Sequence, residues 1–96
     1  MKKNYNFNYI FLFYDIKEER VNKVFKVCKR YLNHYQKSVF RGQITPSNII
    51  LLEQELRKVA VKGEDFISII KLINENAFVE DCIGKVDNNT GNSFFI

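Results

Sequence analysis

The chain has no tryptophan, one histidine, one proline, two cysteines and four glycines in 96 residues. Each scarcity excludes something. Cys28 and Cys82 cannot make a disulfide framework, and with His34 as the single histidine they cannot complete the four-ligand set of a structural zinc site. Both cysteines read as small core hydrophobes, Cys28 on the apolar face of a helix and Cys82 in a strand. Four scattered glycines leave no Gly-rich phosphate loop. Ser38 has no His or Lys arranged as a base, which argues against a serine nucleophile, and His34, at a helix-to-strand junction, reads as a structural or surface residue. The apolar run Tyr9 to Tyr14 is six residues long, against the roughly 20 that a membrane span needs. Met1-Lys2-Lys3 looks like the start of a signal peptide, but no small-residue cleavage site follows, so a cytoplasmic protein without a membrane partner is expected. Asn88-Asn89-Thr90 is then a polar turn.

Leucine and alanine are also scarce, 6 and 2 against 19 Ile plus Val, which favours strands over a helical bundle. What is present is 46% hydrophobic, with 9 Phe, 5 Tyr and a net charge of +4. That composition excludes disorder and fits one domain. A domain this small buries only roughly two-thirds of its unfolded surface. It has little room for a deep cleft, so an active site must be shallow or shared with a second copy.

Residues 1–8 are a polar lead. Tyr9–Tyr14 has the unbroken apolar character of a central strand buried on both faces. From Glu18 to Leu32 the period changes: Val21, Val24, Phe25, Cys28, Tyr31 and Leu32 share one helical face, with Glu18 and Glu19 in the first turn and Lys29 and Arg30 in the last. Asn33 supplies the stop. Tyr35–Ile44 alternates, with Ser38, Phe40 and Gly42 facing one way and Val39, Arg41 and Gln43 the other; its length suggests a bend or a break near Lys37–Ser38. Thr45-Pro46 is a strong helix start, Ile49, Leu52, Leu56, Val59 and Ala60 give the buried stripe, and Gly63 ends it. Phe66–Ile73 is a second strongly apolar strand, Phe78–Val86 a weaker one, and 87–91 a loop before Ser93-Phe94-Phe95-Ile96. The order β-α-β(β)-α-β-β-β predicts an α+β, ferredoxin-like split βαβ fold, with two helices on one face of an antiparallel sheet. The expected organisation is a lead over 1–8, the domain over 9–86, and a loop with a C-terminal strand over 87–96.

Asp15 is the most informative residue. It ends the central strand just before a helix and is the only acid in the first 17 residues. One carboxylate cannot cage a metal, but Mg²⁺ often takes only one or two, with water and phosphate completing its octahedron. Asp15 can equally be a strand-terminating turn residue. The polar face of the first helix carries Arg20, Lys23, Lys26 and Arg30 at spacings of three and four, with Lys37 and Arg41 on the following strand. Such a row suits a phosphate backbone, although rows of this kind are commonly just solvated. Phe94, Phe95 and Ile96 are large apolar groups that either complete the chain's own sheet or add a strand to a partner.

Together, an apolar strand Tyr9–Asp15 ending Tyr-Asp, Arg20 five residues on, and Gln36-Lys37-Ser38-Val39-Phe40-Arg41-Gly42 running into a Thr-capped helix resemble the CRISPR-associated protein two family, small subunits of the CRISPR spacer-acquisition machinery. The resemblance spans roughly residues 9–86. It implies a symmetric homodimer with facing sheets and a last strand that crosses to the partner, for which Ser93–Ile96 is suited. It also implies a metal-dependent endonuclease acting on single-stranded RNA or duplex DNA, and a bridge between integrase subunits. Asp15 then matches the metal-binding, catalytic aspartate, given once by each protomer to Mg²⁺ or Mn²⁺. Tyr14, Ser38 and Phe40 flank it.

Three rival readings remain. One is a purely architectural DNA-binding dimer in which Asp15 has no chemical role. Another is a stand-alone toxin-type ribonuclease of the same fold. An RNA-recognition-motif module is disfavoured, because Arg41-Gly42 is followed by Gln43-Ile44 and not by aromatics.

Overall fold

The computed structural model describes residues 6–84. Its elements run β1 (Tyr9–Asp15), α1 (Glu18–Tyr31), β2 (Asn33–Gln36), β3 (Val39–Gln43), α2 (Pro46–Val59), β4 (Phe66–Leu72) and a short 3₁₀ turn over Glu75–Ala77. The sheet order is β2-β3-β1-β4, antiparallel at every pairing. This is the ferredoxin-like arrangement expected from the element order.

Strand alternation divides β1 into two faces. Ile10, Leu12 and Tyr14 turn toward the helices and are buried with Phe40 of β3, Val24, Val27 and Cys28 of α1, and Ile49, Leu52 and Leu56 of α2. Cys28 is fully buried, and burial pushes its thiol up to about 12, so it is an inert core group. The other face carries Phe11, Phe13 and Asp15. The expectation of burial on both faces therefore holds throughout on the helix side, whereas on this face Tyr9 is buried and Phe13 is open. Phe13 is 38% exposed, and on the same face of β4 Phe66 and Ile70 are 58% and 47% exposed.

The expected break near Lys37–Ser38 is a tight hairpin between β2 and β3. Lys37 sits there at φ 42°, a left-handed conformation that costs a non-glycine residue about 1–2 kcal/mol. His34 tethers the turn by donating from Nε2 to the Lys37 carbonyl at 2.8 Å and packs edge-on to Phe25, a structural role. Lys37→Gly is expected to stabilise the fold by about 0.5–1 kcal/mol after glycine's own entropy is subtracted, raising the melting temperature by a few degrees. An unchanged or lower melting temperature in a calorimetric scan contradicts it.

α2 begins as its sequence predicts. Thr45 Oγ1 accepts the Asn48 N–H at 3.2 Å, and Pro46 opens the first turn. α1 has no local side-chain cap.

The expected strand over 78–86 is absent from residues 78–84. After Leu72 the chain turns, with Asn74 Oδ1 accepting the Asn76 N–H at 2.8 Å, and the following segment crosses the face of the sheet instead of pairing along an edge. Phe78 packs at a tilt against Tyr9 and edge-on against Phe11, at centroid distances of 5.3 and 4.9 Å. Glu80 pairs with Arg41 and accepts from the Tyr35 hydroxyl. These contacts hold the segment over one half of the face. Cys82 lies in this irregular segment, not in a strand, with Sγ 3.3 Å from Glu80 Oε2. The C-terminal half of β1, with Phe13 and Asp15, stays uncovered by described residues. Asn88-Asn89-Thr90 and the strand expected over Ser93–Ile96, including Phe94, Phe95 and Ile96, lie outside the described residues.

Candidate functional site

Asp15 is the last residue of β1 and pairs with Phe66, the first of β4. Its neighbours are rigidly placed: the Tyr14 N–H bonds the Ser38 carbonyl at 3.1 Å, which brings the hairpin turn beside the end of β1. Tyr14 is buried and stacks on Phe40 at 6.3 Å. Phe40 is fully buried, so it supports the site from the core side of the sheet. The Asp15 side chain is exposed on the open face and makes no hydrogen bond or ion pair with any described residue. A fixed, unpartnered carboxylate at a strand end is a hard oxygen donor.

The basic residues do not form one row. Arg20 is only 17% exposed and is committed to Asp65, with Nε 2.7 Å from Oδ2 and Nη2 3.1 Å from Oδ1, and to Glu64 at 2.8 Å. Arg30 pairs with Glu55 of α2, whose carboxylate also accepts from the Tyr31 hydroxyl. Arg41 lies on the open sheet face, 4.0 Å above the Tyr35 ring and paired with Glu80. Lys23, Lys26 and Lys37 remain exposed and unpaired among the described residues, as does Lys29. Lys37 is at the Asp15 end of the sheet. Lys23 and Lys26 are on the outer surface of α1, across the sheet from the Asp15 carboxylate.

Asp65 is the residue that sequence reasoning missed. Its carboxylate is sealed from solvent and takes four donors: the Arg20 fork, the Lys17 N–H at 2.9 Å and the Val61 N–H at 2.8 Å. A clue was available, since α1 starts without Ser, Thr, Asp or Asn, so its first N–H groups need a distant acceptor. The Arg20 guanidinium, with the two backbone donors, holds the Asp65 carboxyl well below the usual carboxylate range against the opposing effect of burial. Because this folded-state value is depressed, its stabilisation is fully present above about pH 4 and is lost as pH falls through the lowered value. The melting-temperature gap between wild type and Asp65→Asn is therefore constant above about pH 4 and narrows below it. A gap that keeps its width down to about pH 2 contradicts this.

Among the described residues, no three His, Cys, Asp or Glu side chains converge to hold a metal ion. At the end of β1, Asp15 therefore offers one carboxylate without a described partner, which fits an ion that takes one or two carboxylates with water and phosphate and does not fit a closed zinc-type cage. Among the same residues, no helix is long and apolar enough to cross a membrane.

The chain matches the family model for CRISPR associated protein Cas2 over residues 8–80. It belongs to the Cas2 family. Among named relatives, it is 39% identical over 84 residues to the CRISPR-associated endoribonuclease Cas2 3 of Thermodesulfovibrio yellowstonii, covering 88% of this chain and 96% of that one. It is 32% identical to the CRISPR-associated endoribonuclease Cas2 of Fusobacterium nucleatum, covering 96% of this chain and 98% of that one. A crystal structure of Cas2 superposes with a TM-score of 0.75 at 34% identity, over 82% of this chain and 88% of its own. The Cas2 match takes in the strand ending Tyr14-Asp15, the 38–42 segment and the Asp65 junction, so every part of the candidate site lies within the family's own span.

Proposed function

We propose that this Cas2 family member is a metal-dependent endoribonuclease that acts as a homodimer in the cytoplasm, within CRISPR adaptation. The observation that carries this reading is Asp15, an exposed carboxylate without a described partner, fixed at the end of the central strand on the face the helices leave open. The relatives named as endoribonucleases support the reaction class. Family membership supports the place in adaptation, where the dimer bridges integrase subunits and holds nucleic acid.

A second copy laid face to face covers Phe13, Phe66 and Ile70 and brings a second Asp15 toward the first. Val79 and Ile83, 91% and 95% exposed in the single chain, lie on the segment that crosses this face and are available to the same contact. Bound Mg²⁺ or Mn²⁺ supplies Lewis-acid charge at the phosphodiester, and Asp15 is the residue that would hold it. Asp15 would fix where that charge stands relative to the backbone of the sheet. Lys23, Lys26 and Lys37 hold phosphates without reading sequence. Tyr14, Ser38 and Phe40 keep the end of β1 from shifting.

Cleavage of single-stranded RNA is therefore expected with Mg²⁺ or Mn²⁺ and absent with EDTA. Metal-independent cleavage by the purified protein contradicts the reading. Lys23→Glu with Lys26→Glu should weaken RNA affinity by about tenfold or more at low salt, with a shallower salt dependence, because two phosphate contacts are lost. Equal affinity and equal salt slope in a fluorescence-anisotropy titration contradict that assignment.

One observation favours a second reading. Lys23, Lys26 and Lys29 lie on the helix side, away from Asp15, where a dimer would present them outward to duplex DNA. In that case the dimer is an architectural spacer. Asp15→Ala then leaves integration intact, whereas charge reversal at Lys23 and Lys26 abolishes it, and the chain co-purifies with the integrase.

A further inference from the structure

Arg20 stands five residues beyond Asp15 in the sequence, in what reads there as a phosphate-binding row. In the fold its guanidinium is largely buried and engaged with carboxylates on three sides: Asp65, Glu64 and, at 3.6 Å, Glu19. A cation so committed has little charge left for a phosphate. Asp65 is the hub of this arrangement. It sits immediately before Phe66, the residue that pairs with Asp15, and its carboxylate bonds the backbone of Lys17, two residues after Asp15. One side chain therefore ties together the two chain segments that leave the Asp15–Phe66 pair. The connection it fixes is short, only Ile16 and Lys17 before α1 begins. No local cap fixes it, because the Lys17 side chain accepts nothing at the helix start. Asp15 itself contributes no described side-chain bond that would hold it in place.

We propose that Asp65 and Arg20 are positioning residues for Asp15: their fork-to-fork pair, through the Lys17 N–H, sets the path of the β1–α1 link and so the direction of the Asp15 carboxylate. This inference rests on the endonuclease reading of Asp15. Arg20 acts through Asp65 and not on the nucleic acid. A bidentate pair of this kind needs the planar guanidinium, which a lysine cannot reproduce.

The test uses the full-length dimer and the variants Asp65→Asn, Arg20→Ala and Arg20→Lys, with melting temperature and dimer mass recorded for each. RNA affinity is measured by anisotropy, kcat and KM by cleavage of a fluorescent RNA, and backbone order at Ile16 and Lys17 by ¹⁵N relaxation. The expected result is RNA affinity and KM within about twofold of wild type, kcat lower by about tenfold to a hundredfold as for a small misplacement of a reacting group, and lost order at Ile16 and Lys17. Arg20→Lys should not restore kcat. The proposal is overturned if the loss appears in RNA affinity and Arg20→Lys recovers it, since Arg20 then meets phosphate directly. It is also overturned if the folded Asp65→Asn dimer keeps both wild-type kcat and ordered Ile16 and Lys17. Should Arg20→Ala fail to fold, Arg20→Lys and Asp65→Asn carry the comparison. Should the wild-type protein cleave no RNA, the endonuclease reading fails alone, and order at Ile16 and Lys17 still decides the positioning claim.

Discussion

Replacing Asp15 with alanine should lower RNA turnover by about 10³-fold, equivalent to about 4 kcal/mol of lost transition-state stabilisation. Fold and RNA affinity should be almost unaffected. The asymmetry follows from the placement of the residue. Its side chain is exposed and bonds no described residue, so its removal leaves no buried group unsatisfied. Surface substitutions of that kind change stability by roughly 0.5 kcal/mol or less. On the proposed reading affinity is carried by lysines elsewhere, so it should survive too. The dimer should be as tight as wild type or tighter, because two like charges brought near each other in one site repel. The measurement is single-turnover cleavage beside a melting curve and a binding titration. A folded Asp15→Ala dimer with near-wild-type turnover removes Asp15 from the chemistry and leaves the architectural reading standing.

The second large effect concerns the part of the sheet face that the described residues leave uncovered. Ile70→Glu should raise the dimer dissociation constant by at least about 10²-fold, since about 3 kcal/mol is a modest cost for a charge placed in an apolar contact. In the single chain Ile70 is already 47% exposed, so the monomer tolerates the charge and folding is preserved. Ile50 provides the control. It is 56% exposed, but on α2, the opposite side of the molecule. Ile50→Glu should leave the dimer unchanged. Sedimentation equilibrium separates the outcomes: dimer loss with Ile70→Glu alone supports a face-to-face pairing, and dimer loss with Ile50→Glu alone moves the interface to the helix side.

The parts of the fold that depend on local periodicity were legible in the sequence. The α1 stripe, the Thr45-Pro46 start of α2 and the break at Lys37–Ser38 all follow from residues within one or two turns of each other. What was not legible depends on distant partners. Tyr9–Tyr14 reads as apolar throughout, but an apolar side chain does not declare whether its own chain or a second one covers it. That is why burial on both faces was expected where Phe13 is open. Phe78–Val86 looks strand-like by composition, yet Phe78 finds better burial on Tyr9 and Phe11, and Glu80 finds Arg41 across the sheet. Arg20 belonged to a basic row by spacing alone. Its real partner lies 45 residues away, and no periodic pattern connects the two. Asp15 stood out because it interrupts an apolar strand end, a local signal. Asp65 did not, because its significance comes only from the four donors the fold brings to it.

The most direct measurement combines sedimentation equilibrium with RNA cleavage by wild-type protein across a dilution series. On the proposed reading a complete site takes two copies, so activity per chain should fall in step with the change in mass from twice 11.4 kDa to 11.4 kDa, with a common midpoint concentration. Full activity per chain retained at dilutions where the mass is that of the monomer would contradict it.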